Sequence, residues 1–569
     1  MAPQFAPGLA TMRRLVDVAR GAALADLVVH GGTLVNVFTE EILPGWGIVV
    51  ADGRIAYLGP DAAEFEAGER IDVGGALLSP GLVEGHTHLM RMSLAETIPL
   101  QLAAGITTTI LESMEVAYIT GAAGVRELLA EAAGMPGQVL FTVPTLTGFD
   151  PLHEAFLGSG PEWEELLDLP GIIGVGEANW TEVLKGNARV DALVAGALRR
   201  GLTVEGHGAG ARPAALNAFA AYGITADHEG IDPVDEVNRM RLGIWAMGRH
   251  GATRQDLPAI AGLWREGDIA ALGRFALVTD GVEPAELSQG RSLNNVVDLA
   301  VEGGMPRPRA IRMASLAVAE RFGIQRWIGG LGPGMIADIA ILDPEWPGFK
   351  ALRVLTGGRP PTVPRRHTYP VAMTRTVSIP GIDPELLRHP GPGHWRVMDL
   401  TAPLVTREGE SDGSDSIVAT VLDRMGRARG FRGLLRGLGL RGGACAVSAA
   451  WDGPYLIVVG DSEADMAIAV QRLVDLQGGA TVVSGGEVQA EWRAELAGVL
   501  SLGPLAETVE ATGAVNRALG GLGCLFPNPM LSIEALSTGV IPFLRLSASG
   551  YVRFKDGARL GLPVEEIRR

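Results

Sequence analysis

The chain has 569 residues, 47% hydrophobic and 20% charged, with a net charge of −17. That is the profile of a folded protein of about three or four domains, or fewer if one is a large barrel. The acidic balance disfavours nucleic-acid backbones and anionic membrane surfaces as partners. Two cysteines, Cys445 and Cys524, cannot build a disulfide framework and predict a reducing, cytoplasmic setting. Neither a signal peptide nor an apolar run of the ~18 residues needed to span a bilayer is expected.

The elements follow in order. Residues 8–25 read as an amphipathic helix packed on the body, and 26–80 as short strands with Gly-rich turns, Asp52-Gly53 being a hairpin signal. Together 1–80 hold the helix and a small β unit. From 81 to 335 strands and helices alternate, with strands at Thr107–Leu111, Val139–Val143, Ile172–Gly176, Thr203–Glu205, Ile224–Asp227 and Phe275–Thr279. Repeated units over that length fit a parallel (β/α) barrel. Ala337 to Asp343 reads as a strand that returns to the first β unit. Segment 336–380 therefore holds the return strands and a Pro-rich linker, Gly358 to Arg366. Residues 381–569 form a further α/β domain, with a strand at Leu456–Val459 and a helix over about 462–476. Ser462 is its N-cap.

Ligand-type residues gather at the ends of the barrel strands. His86-Thr87-His88 closes an apolar run, and side chains two apart on a strand share a face. Glu177, His207, His228 and Asp280 each follow another apolar or β-branched run. Barrel active sites form at the C-terminal strand ends, so these six residues converge. A lone histidine there is more often a hydrogen-bonded core residue. Four of ten histidines in barrel order, with two carboxylates, instead predict a divalent metal centre of one ion, or of two bridged by Glu177. Mn, Fe and Zn all suit such ligands.

The pattern resembles the amidohydrolase superfamily, on Pro80-Gly81-Leu82-Val83-Glu84-Gly85-His86-Thr87-His88 and Gly332-Pro333-Gly334-Met335-Ile336-Ala337-Asp338. Within it the chain is similar to the adenine deaminases. Gly174-Val175-Gly176-Glu177, Ala226-Asp227-His228-Glu229 and Asn528-Pro529-Met530-Leu531-Ser532 carry that likeness over about residues 25–555. The resemblance implies a (β/α)8 TIM-like barrel, a small β-sandwich whose first part lies in 1–80 and whose return strands lie in 336–380, a metal-bridging glutamate in place of a modified lysine, and the extra C-terminal domain. The chain departs from the family where Asp-Pro-His-Glu becomes Glu112-Ser113-Met114-Glu115 and where Glu-Ser-Ser becomes Met90-Arg91-Met92-Ser93. It departs again where Thr-Asp-Asp becomes Thr279-Asp280-Gly281, where a Gly-His becomes Gly290-Arg291, and where a His-Asp becomes Trp451-Asp452.

The expected chemistry is hydrolytic deamination of adenine or a related 6-aminopurine by metal-bound hydroxide. Asp280 is expected to take the proton, His228 to polarise the substrate, and Glu229 to orient its neighbour. Arg91 and Glu115 are expected to bind substrate. The alternative is an amide or cyclic-amide hydrolase with the same metal centre, and a barrel that only binds is the third reading. The expected partner is a small polar molecule, with no nucleic acid and no membrane, in a homodimer or larger homo-oligomer.

Overall fold

A computed structural model describes residues 3–146, 157, 160–265, 273–426, 430–448, 453–539, 543–554 and 556–564. Eight parallel strands form one nearly closed sheet in sequence order. They are β1 (Leu82–Thr87), β2 (Ile106–Leu111), β3 (Gln138–Val143), β4 (Ile172–Asn179), β5 (Thr203–His207), β6 (Ala226–Asp227), β7 (Trp245–Arg249) and β8 (Phe275–Val278). The run Ile106-Thr107-Thr108-Thr109-Ile110-Leu111 shows why: β-branched side chains favour the pleated surface, and all six are buried. The seam between β8 and β1 is joined near their C-terminal ends, where Asp280 N, two residues past β8, donates to His86 O within β1 at 3.0 Å.

Two differences from the sequence reading bear on the site. The strand Trp245–Arg249 was not anticipated; its Trp-Ala-Met run is short and ends on an arginine, which is not a ligand type. The sixth strand is also shorter than expected, pairing only through Ala226 and Asp227. The Asp227 carboxylate accepts from Glu229 N and from Arg239 Nε. Those bonds draw the chain out of the ladder just where His228 must turn inward.

Two small sheets flank the barrel. One runs Arg54–Gly59, Gly47–Ala51, Ala25–His30, Ala67–Asp72, and the other Ala351–Leu355, Ile339–Leu342, Leu77–Pro80, Thr33–Asn36, Glu41–Pro44. Their facing residues, among them Leu27, Ile48, Leu78 and Ile339, share one apolar core. Ile339–Leu342 pairs antiparallel with Leu77–Pro80, so the chain does return to its first β unit after the barrel. Helix Leu9–Ala19 buries Leu15 and Val18 on this body.

The C-terminal domain is built on an eight-stranded, largely antiparallel sheet. Helix Glu463–Leu476 covers one face, its first turn capped by the Ser462 side chain, and helix Leu505–Gly521 covers the other. Among the described residues no helix is long and apolar enough to cross a membrane.

Candidate metal centre and active site

The six expected ligands meet at the C-terminal end of the barrel, and all six are buried. Glu177 stands at the centre. Its Oε1 lies 3.2 Å from His86 Nε2 and 2.9 Å from His88 Nε2, and its Oε2 lies 3.1 Å from His207 Nδ1. Asp280 Oδ1 is 3.3 Å from both His86 Nε2 and His88 Nε2. The donors thus fall into two sets that share one carboxylate: His86, His88, Glu177 and Asp280, and Glu177, His207 and His228. Glycine permits this crowding, since a Cβ at Gly176 would collide with the Glu112 carboxylate behind the cluster.

Each histidine of the His86-Thr87-His88 run is held from behind. His86 Nδ1 meets Glu205 Oε2 at 2.8 Å, and Glu205 is tied in turn to Arg321. His88 Nδ1 meets Glu115 Oε1 at 2.6 Å. A carboxylate on one ring nitrogen fixes the tautomer and turns the other nitrogen toward the centre. The third ligand-type grouping, His86 with Glu112 and Glu205, is this rear support. On the far side, Glu229 Oε1 lies 3.4 Å from His228 Nε2 and 3.6 Å from His207 Nδ1.

Arg249, on the strand that sequence reading missed, organises the remaining charge. Its Nη1 donates to Glu229 Oε1 at 2.6 Å and to Asp280 Oδ2 at 2.9 Å. Thr253 Oγ1 also donates to Asp280 Oδ2, at 2.6 Å. Burial works against the Asp280 carboxylate, but Arg249 and the two histidines outweigh it and hold its pKa well below the usual range. Burial likewise opposes charge on Glu177, where the close imidazoles of His207, His86 and His88 prevail and hold its pKa well below the usual range. The same field acts on the imidazoles. Burial would lower His86, yet Asp280 and Glu177 raise it to about 9.

These residues fit divalent cations. His86 Nε2 and both ring nitrogens of His207 are buried with no hydrogen-bond partner. Orphaned buried nitrogens of this kind cost free energy, and lone pairs converging beside anionic oxygens are what a cation would occupy.

A cavity of about 290 Å³ opens above the cluster. His88, Glu177, His207, His228, Glu229 and Asp280 form its floor, and Met114, Ile231, Asp235 and Arg254 line its wall. The roof comes from the C-terminal domain, through Pro403, Leu404, Val405, Thr538 and Phe543.

The two expected substrate-binding residues lie elsewhere. Glu115 is 2% exposed and sits behind His88. Arg91, also buried, donates through Nη1 to Glu283 at 2.5 Å and through Nη2 to Glu534 at 2.6 Å, away from the cavity lining. Arg291 is exposed and outside the lining. Trp451 and Asp452 fall outside the described residues.

Comparison with known proteins places this geometry. The amidohydrolase family model matches residues 77–363, and the adenine deaminase C-terminal domain model matches 398–558. The chain is 32% identical to the adenine deaminase of Moorella thermoacetica, covering 97% of this chain and 98% of that one. It is 32% identical to the adenine deaminase of Deinococcus deserti, covering 95% of each. It is 31% identical to that of Archaeoglobus fulgidus, over 95% of this chain and 96% of the other.

Proposed function

The chain belongs to the adenine deaminase branch of the amidohydrolase family, and from that premise we propose that it removes the amino group of adenine or a related 6-aminopurine. The reaction is hydrolytic. A C–O bond to water forms at the amine-bearing ring carbon, the C–N bond breaks, and ammonia leaves with the 6-oxopurine as the other product. The observation that carries the reading is the Glu177 carboxylate, divided between two sets of buried donors directly beneath a cavity.

His86, His88, Glu177 and Asp280 would hold one divalent ion, and Glu177, His207 and His228 a second. Mn, Fe and Zn each suit these donors. When bound, such ions supply an acidified water able to attack an sp² carbon near neutral pH. Asp280 is the proton acceptor in this reading, through Oδ1. Its Oδ2 is engaged by Arg249 and Thr253, which leaves Oδ1, on the side of His86 and His88, as the oxygen that faces the cluster. Glu229 positions His228 and His207 from a carboxylate that Arg249 holds. Glu115 and Glu205 keep the His88 and His86 imidazoles turned inward.

Arg91 takes a structural role in this reading, joining the barrel to the C-terminal domain. A reducing, cytoplasmic setting suits the two unpaired thiols, and a homo-oligomer is part of the proposal. A second reading, hydrolysis of an amide or cyclic amide, draws support from Met114, which gives the cavity wall an apolar side chain where the family pattern has histidine.

The test is ammonia release from adenine by Mn-reconstituted protein, with His88→Ala as blank. Metal-dependent release lost in the blank supports the deaminase. No release from protein that holds its metal transfers the proposal to amides. Glu177→Gln should lower both metal content and rate; unchanged metal stoichiometry would remove Glu177 from the ligand set.

A further inference from the structure

One hairpin of the C-terminal sheet ends at the mouth of the barrel. Its strands, Trp395–Ala402 and Val405–Ser411, are joined by Pro403 and Leu404. Leu404 has a φ of 66°. Proline followed by a residue at positive φ is the order of a type II turn, whose second central position favours Gly or Asn. A turn alone has no use for a branched side chain there.

The surroundings hold that leucine in place. Its carbonyl accepts from Arg545 Nη2 at 2.8 Å. Its side chain shares an apolar cluster with Met90, Leu531 and Ala535. Met90 lies two residues past His88, and its Cγ is 3.0 Å from where a Cβ on Gly281 would be, next to Asp280. One apolar contact region therefore links the hairpin tip with the loops after β1 and β8. Leu404 is 8% exposed and still lines the cavity opposite the cluster.

We propose that Leu404 is a specificity-determining residue, the roof that closes the cavity over a flat, unsubstituted aminopurine and rejects ring substituents on its side. The proposal rests on the deaminase reading and deepens it. Selection of the substrate and the chemistry on it are then carried by different domains, joined through the Met90 contact.

The experiment compares Leu404→Ala with Leu404→Met in the metal-loaded full chain, using adenine and its 2-, 8- and 9-methyl derivatives. Leu404→Ala should raise KM for adenine about tenfold with kcat nearly unchanged, and relax discrimination against at least one methyl derivative by about tenfold. Leu404→Met, which keeps the bulk, should retain wild-type values. A second measurement needs no substrate. The flat chelator dipicolinate should strip metal from Leu404→Ala several-fold faster than from wild type or Leu404→Met, at equal Tm. Unchanged KM and selectivity in Leu404→Ala overturn the roof. If metal-loaded wild type leaves adenine untouched, the deaminase reading fails on its own. The stripping rates then decide: equal rates overturn the roof, and faster loss from Leu404→Ala supports it for another substrate.

Discussion

Two buried polar assemblies lie close together at the barrel mouth, and they are built on opposite terms. In the Glu177 cluster, imidazole nitrogens face one another and two carboxylates, and several of those nitrogens have no hydrogen-bond partner. In the Arg91 assembly, a cation meets two carboxylates, Glu283 and Glu534, and Asn528 Nδ2 adds a bond to Glu283 at 3.1 Å. Converging lone pairs mark a place for a ligand. Opposite charges already joined mark a seam between parts of the chain. Arg91 serves the seam: Ser501 N donates to its carbonyl, and Glu534 lies on the C-terminal helix Pro529–Glu534.

This contrast can be broken by substitution, most sharply at Asp280. Asp280→Asn should cut kcat by about 10²–10⁴-fold, as loss of a general base does, with little change in Tm. Extensive unfolding instead would make the cluster a structural joint. Arg91→Met should do the reverse. Stripping the cation from two buried carboxylates should cost about 3–5 kcal/mol of stability in chemical denaturation. A variant as stable as wild type would return Arg91 to the list of candidate substrate residues. Glu115→Gln belongs with the cluster and should have the smallest effect. It should weaken metal affinity by about 10–100-fold in a chelator competition without lowering Tm. Unaltered affinity would show that the His88 ring is fixed by packing alone.

Much of the centre was legible because metal ligands are few in kind and barrel strands end at one face. His86, His88, Glu177, His207, His228 and Asp280 are read from local context, each at the close of an apolar run, and the fold brings them together. Arg249 escaped notice because its strand is five residues long and arginine carries no ligand signal. Arg91 reads as a substrate contact from its place beside the histidines. Its partners are 192 and 443 residues away, beyond any local pattern. The roof was hidden for the same reason. A hairpin tip shows its turn in the sequence, as Pro403 does, but not the domain it will lean on.

The sandwich has a consequence for how the protein is made. Leu77–Pro80 lies inside a five-stranded sheet, and one of its two neighbours there is Ile339–Leu342. During synthesis the ribosome must deliver the whole barrel before that neighbour exists. Until then Leu77–Pro80 presents an open, apolar edge of the kind that recruits other chains. A nascent chain halted within the barrel should therefore aggregate through this strand, and chaperone dependence should fall once residue 342 has left the exit tunnel.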